Sequence, residues 1–150
     1  MQLNYTAILI ATIAQFIFGA IWYTPIFGKL WGKIHEFDKV PADKQKEMMK
    51  NMWKPLLVQL IITFITSFVF ALFLAGFQSG GNGDLGYFYW HWTIYHLAFF
   101  FWLGFIFPTQ VAAVIFGGTK PEWVITKIAI MAGAALGCMQ IAALVFKWMM

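Results

Sequence analysis

Arginine is absent from this 150-residue chain, and all ten of its basic residues are lysines. The planar guanidinium is the side chain best suited to bidentate recognition of phosphates and base edges. The formal charge of +4 therefore does not point to nucleic acid. Carboxylates are also scarce: there are six, and none lies inside a long apolar stretch. Proton pumps and many transporters depend on an intramembrane acid as relay or counter-ion, and hydrolysis or di-iron chemistry needs paired carboxylates. The single cysteine, Cys138, excludes an internal disulfide and any multi-cysteine metal site. Charged residues make up only 11% of the chain, against 61% hydrophobic and 20% aromatic. A soluble domain has about 25% charged and roughly 45–50% apolar residues. A water-soluble fold of this length cannot hide so much apolar surface, so one integral membrane domain is expected over residues 1–150.

Crossing the hydrocarbon core takes about 20 apolar residues as a helix. Four stretches reach that length: Leu3–Phe27, Pro55–Phe77, Leu85–Phe107 and Trp123–Val145. The expected fold is all-α, four transmembrane helices in one bundle. Indoles prefer the membrane–water interface, and Trp22, Trp31, Trp53, Trp90, Trp92, Trp123 and Trp148 mark the span ends, with Trp102 well inside the third. The first stretch is too long for a signal-peptide core, has no Lys or Arg before it and shows no clear cleavage site. It reads as a retained span.

Seven lysines lie between Lys29 and Lys54, in the first loop; the second loop, Gln78–Asp84, has none, and the third has Lys120. Positive-inside bias puts the first and third loops in the cytoplasm and both termini outside. Lys127 is near enough to the end of the fourth span to snorkel to the cytoplasmic surface. Within the first loop, Pro41 suits a first helical position, and Ala42–Lys54 then forms a short helix. Met48, Met49, Met52 and Trp53 share one arc, and Lys46, Lys50 and Lys54 the next. Such a helix suits the inner leaflet, either as a docking or lipid-sensing surface or as a connector resting on its own membrane; the connector is the expectation.

The apolar run of the third span continues to about Phe116 and is interrupted by Pro108. Proline cannot bond the carbonyl four residues back, that of Gly104, so a kink or break is expected there, with Thr109 and Gln110 placed to satisfy freed backbone groups. GAIWYTPIFGK (19–29) and GFIFPT (104–109) followed by IFGGTK (115–120) hint at a duplication of two hairpins about an axis along the membrane normal.

Uncharged polar residues occur within the spans. Gln59, Thr63, Thr66 and Ser67 follow helical spacing on the second, Gln15 lies in the first, Thr109 and Gln110 follow the proline, and Gln140 is in the fourth. They line a small-solute cavity or supply interhelical hydrogen bonds, typically ~0.6 kcal/mol each; the latter is the expectation. Ala129, Gly133 and Gly137 form a small-residue stripe that lets backbones approach closely, inside the bundle or across a homodimer. His91 and His96 stand five residues apart, whereas a metal pair on one helix face needs a spacing of three or four. Haem or copper binding through these histidines with Cys138 or Met139 is a minor reading, and no cofactor is expected.

The turn Gly19-x-x-Trp22-Tyr23-x-Pro25, followed by Phe27, Gly28, Lys29 and Trp31, resembles the bacterial membrane proteins grouped as domain of unknown function 1761. The resemblance extends to GFIFPT around Pro108 and to a last helix ending in a tryptophan, and so covers nearly the whole chain. It implies a multi-pass protein of the bacterial cytoplasmic membrane and no particular activity. With no catalytic signature, the expected function is a non-enzymatic membrane component that packs against itself or a partner; a dimeric small-solute permeation protein is the alternative. The orientation is testable with single cysteines in a Cys138→Ser background. Lys46→Cys and Ser79→Cys should label from opposite sides of the membrane, Ser79→Cys from outside, and the reverse result overturns the topology.

Overall fold

The computed structural model describes residues 3–80 and 87–150, with side chains described within 3–76 and 93–150. Its elements are α1 (Tyr5–Ile21), a π-helical turn (Trp22–Ile26), α2 (Gly28–Ile34), a 3-10 turn (Phe37–Lys39), α3 (Ala42–Lys50), α4 (Trp53–Gly80), α5 (Tyr87–Phe101), a second π-helical turn (Trp102–Ile106), α6 (Phe107–Phe116), a 3-10 turn (Pro121–Trp123) and α7 (Val124–Met149). Four stretches are long and apolar enough to span a membrane: Tyr5–Ile26, Trp53–Gly76, Thr93–Phe116 and Pro121–Met149, of 22, 24, 24 and 29 residues. The protein is thus an all-helical, multi-pass membrane protein.

Two of these elements differ from expectation. The first-loop helix ends at Lys50, and a turn at Asn51–Met52 separates it from α4. Pro108 does not break the third span: a π-helical turn precedes it and the helix runs on to Phe116. Proline is tolerated at a helix start because its missing N–H is not needed there, and the π turn resets the register so that Pro108 opens α6. Gly118, at φ +69°, ends α6 in the left-handed conformation that glycine adopts without steric cost.

α7 is the central helix, packed on α1, α5 and α6, while α1 also packs on α4. α1 and α7 are antiparallel. Asn4 caps α1 by accepting from the Ala7 N–H (3.0 Å), and its amide donates to the Met149 carbonyl (2.8 Å), tying the two chain ends together. The core lies toward this end. Ile8, Phe70, Leu74, Ile94, Met139 and Phe146 are buried there, spaced by the alanines at 7, 11, 71, 98, 142 and 143. Lipid tails are as apolar as leucine, so close van der Waals packing, rather than escape from water, holds membrane helices together; alanine suits it. Phe70 meets Phe101 and Phe146, each at 6.0 Å between ring centroids, which closes α4 onto α5 and α7.

Toward the lysine-rich end, α4 stands apart. From Trp53 to Gln59 every residue is exposed, and so are Ile61, Ile62, Phe64 and Ile65. α1 and α7 stay together at the same level because α7 is smooth there: a methyl group on Gly137 would come within 2.5 Å of the Phe18 ring, and one on Gly133 within 3.0 Å of the Trp22 indole. Two members of the small-residue stripe therefore seat aromatic rings of the same chain, while Ala129 is exposed. Gly137→Ala should lower thermal stability in mild detergent by about 1–3 kcal/mol, the usual cost of overpacking. Gly19→Ala, where the added methyl has nothing within 4 Å, should be neutral or stabilising. Equal effects at the two positions would show that Phe18 does not depend on the missing side chain.

Candidate functional site

The π-helical turns are built alike. Each begins with a tryptophan whose carbonyl accepts from a phenylalanine N–H five residues on: Trp22 from Phe27 (3.0 Å), and Trp102 from Phe107. The rings of each pair pack at 4.8 Å (Trp22–Phe27) and 5.2 Å (Trp102–Phe107), both inclined at 44°. A proline accompanies each turn and explains it locally. Pro25 lies inside the first, and Pro108 follows the second; neither can donate in the ordinary helical register. Thr109 compensates at the second, its hydroxyl donating to the Phe105 (3.1 Å) and Ile106 (2.7 Å) carbonyls. Single π turns of this kind recur at functional sites.

Both indoles act on α7. Trp22 Nε1 donates to the Ile130 carbonyl and Trp102 Nε1 to the Ala132 carbonyl, each at 3.0 Å. A helical carbonyl already bonded to its own turn retains a second lone pair for such a donor. Residues two apart in a helix lie about 200° around the axis and ~3 Å along it. The indoles therefore grip α7 from opposite sides at one depth. Trp22, near the end of the first membrane-length stretch, also bonds within the bundle: Ile130 lies six residues beyond Val124, ~9 Å into α7. The sequence carries the repeat as Trp-x-x-x-Ile-Phe, at Trp22–Phe27 and Trp102–Phe107. This register differs from the hairpin duplication inferred from glycine-rich matches, and it relates the first and third spans through a shared partner helix.

Midway along the bundle lies a polar node. The buried Gln15 amide donates to Ser67 Oγ (2.6 Å) and to the Ala11 carbonyl (3.1 Å), and Ser67 donates to the Thr63 carbonyl (2.9 Å). Cys138 Sγ lies 3.7 Å from the Gln15 carbonyl as a weak donor. This joins α1, α4 and α7. The polar residues of α4 do not share one environment: Ser67 is buried, Thr63 and Thr66 bond the Gln59 and Ile62 carbonyls of their own helix, and Gln59 is exposed with only a 3.3 Å contact to Thr63 Oγ1. On α6, Gln110 Oε1 is buried without a donor among the described residues, and Gln140 donates to the Tyr95 carbonyl at 3.3 Å. His96 is exposed on α5, and the side chain of His91 lies outside the described residues. Among the described residues, no group of three or more His, Cys, Asp and Glu side chains is placed to hold a metal ion.

At the lysine-rich end the first loop folds against itself and against the third. Tyr23, Trp31, His35 and Phe37 form a run of ring contacts at 4.9, 4.3 and 5.8 Å. It leads to Glu36, a left-handed residue at φ 54°. Glu36 pairs with Lys39 at 2.9 Å within the loop and with Lys120 across to the third loop. Hydrogen bonds from Lys120 and then Lys39 hold its carboxyl well below the ordinary carboxylate range, at about 2. Glu36 in turn raises Lys39 above the ordinary lysine value. Lys127 donates to Thr119 Oγ1 (3.3 Å), toward the third loop.

Residues 6–147 match the family described as Protein of unknown function (DUF1761), and the chain belongs to it. No curated protein and no solved structure matches the chain. Membership brings no stated activity with it and leaves the chemistry to be argued from the residues.

A carboxyl with a depressed folded-state value contributes its stabilisation fully above its unfolded value and loses it as pH falls through the folded one. The loop-to-loop tie should therefore persist down to about pH 4 and fail as pH approaches about 2. Spin labels at Lys33 and Glu122 should report one narrow distance distribution until then, and Glu36→Gln should broaden it at every pH. A narrow distribution in Glu36→Gln would show that the tie does not hold the loops.

Proposed function

We propose that this DUF1761 member is a non-enzymatic component of the bacterial cytoplasmic membrane, termini outside, that works by associating with a second copy through the lysine-end half of α4. One observation carries the reading: the exposure of α4 on every side from Trp53 to Gln59, with an amide, Gln59, as its polar group at membrane depth. Gln59 lies six residues past Trp53, ~9 Å along the helix. Exposed apolar residues alone create no drive to associate in lipid, but an amide there is poorly solvated and seeks an interhelical partner. Its contact to Thr63 is long and uses one donor. An amide carries both donors and an acceptor, so two copies of Gln59 satisfy each other about a two-fold axis, the commonest symmetry of protein pairs.

The Gly133 and Gly137 face does not compete for this role, since Trp22 and Phe18 of the same chain occupy it. In native membranes, Ile62→Cys in a Cys138→Ser background, one turn beyond Gln59 on the exposed face and leaving the amide in place, should crosslink to a dimer. Leu9→Cys, on the exposed side of α1, should not. Gln59→Leu should reduce the dimer constant about threefold for each bond lost, the equivalent of ~0.6 kcal/mol. A strictly monomeric protein by light scattering in mild detergent, with no crosslink at position 62, would sink the proposal.

A further inference from the structure

α3 is held in place by a residue that its amphipathic pattern alone leaves unexplained. Gln45 falls in the same arc of the helix as Met48 and Met49. Its amide donates to the Phe37 (3.0 Å) and Val40 (2.8 Å) carbonyls. The clip fixes the helix against the preceding turn while the methionines stay uncovered, Met49 at 73% exposure; beyond the Asn51–Met52 turn, Trp53 is 60% exposed. Lysines 44, 46, 50 and 54 flank this patch against two acids, Asp43 and Glu47. The ion pairs among the described residues go to Lys39 and Lys120, which leaves those four lysines unpaired.

We propose that α3 is an anionic-lipid docking element: it inserts Met48 and Met49 between headgroups only where the leaflet is negatively charged, with Lys46 and Lys50 as the electrostatic contacts. Two features select a lipid surface over a protein partner. α3 ends three residues before Trp53, where the membrane-length stretch begins, so at most ~10 Å of chain separates it from that stretch. The patch also pairs apolar side chains with unneutralised lysines on the adjacent arc, the arrangement by which amphipathic helices insert shallowly and favour anionic headgroups. Charge dependence separates this from a passive connector. The apolar face of α3 is short, and its position is already fixed by Gln45, so the gain on docking rests on the lysines. The proposal is independent of association through α4.

The test uses the full chain with Cys138→Ser and Met49→Cys carrying an environment-sensitive fluorophore. It is reconstituted at high dilution in symmetric vesicles of phosphatidylcholine alone or mixed with phosphatidylglycerol, so that neither orientation nor dimerisation affects the reading. Quenching by brominated acyl chains should be several-fold stronger in the anionic vesicles. High salt, which shortens the range of charge interactions, should abolish the difference, as should Lys46→Glu with Lys50→Glu. Equal quenching in both vesicles would overturn the proposal in favour of a passive connector. Protection of the label from lipid and aqueous quenchers alike would overturn it in favour of a protein contact.

Discussion

Hydrocarbon offers no hydrogen bonds, so a polar group placed there is either bonded within the protein or costly. In this chain the constraint is met chiefly at the backbone of α7, whose carbonyls at Ile130 and Ala132 accept the indoles of Trp22 and Trp102. The π-helical turns, the prolines that favour them and the glycines that let the rings reach α7 all serve these two bonds. Gly133 and Gly137 give room to the Trp22 and Phe18 rings, and the Trp22–Phe27 and Trp102–Phe107 contacts steady each indole from its other side.

The four spans were legible because length and apolarity suffice to define them, although the second begins at Trp53 rather than Pro55 and the fourth at Pro121 rather than Trp123. Lys127 donates to Thr119 in the third loop. Pro108 was legible as an irregularity but not as to kind. The missing N–H is answered by a π turn, itself one of the causes of helix kinks, and the Trp102 that it displaces meets the Ala132 carbonyl on α7. Trp22 conceals its partner for a related reason. Counting along the sequence puts it near a span end, whereas its partner carbonyl, 108 residues away, draws it into the bundle. The Trp-x-x-x-Ile-Phe repeat stood in the sequence unrecognised because the more frequent Phe, Gly and Ile matches suggested another register.

The polar residues of the second span show the same limit from another side. Their spacing placed Gln59, Thr63, Thr66 and Ser67 on one face, but a face alone does not reveal what stands opposite. Ser67 meets Gln15 of α1, whereas Gln59, two turns away, lies where α4 has left its neighbours. Separation between helices is a tertiary quantity with no local signature. The lysine-rich loop was legible in charge and amphipathic pattern; the Glu36 link to Lys120 and the Gln45 clip to the Phe37 turn join residues whose pairing depends on how the loop folds back.

The opposed grip on α7 also constrains motion. A helix held by one lateral bond can roll about its axis, but one held from two sides at a single height cannot turn without losing both bonds together. The first, third and fourth spans are therefore tied to one another through α7, held from both sides. α4 is joined to them near the chain ends by Phe70 and Leu74 and at mid-depth by the Gln15–Ser67 bond. Below that bond the lysine-end half of α4 forms the exposed flank of the bundle, the part whose displacement would disturb neither indole bond.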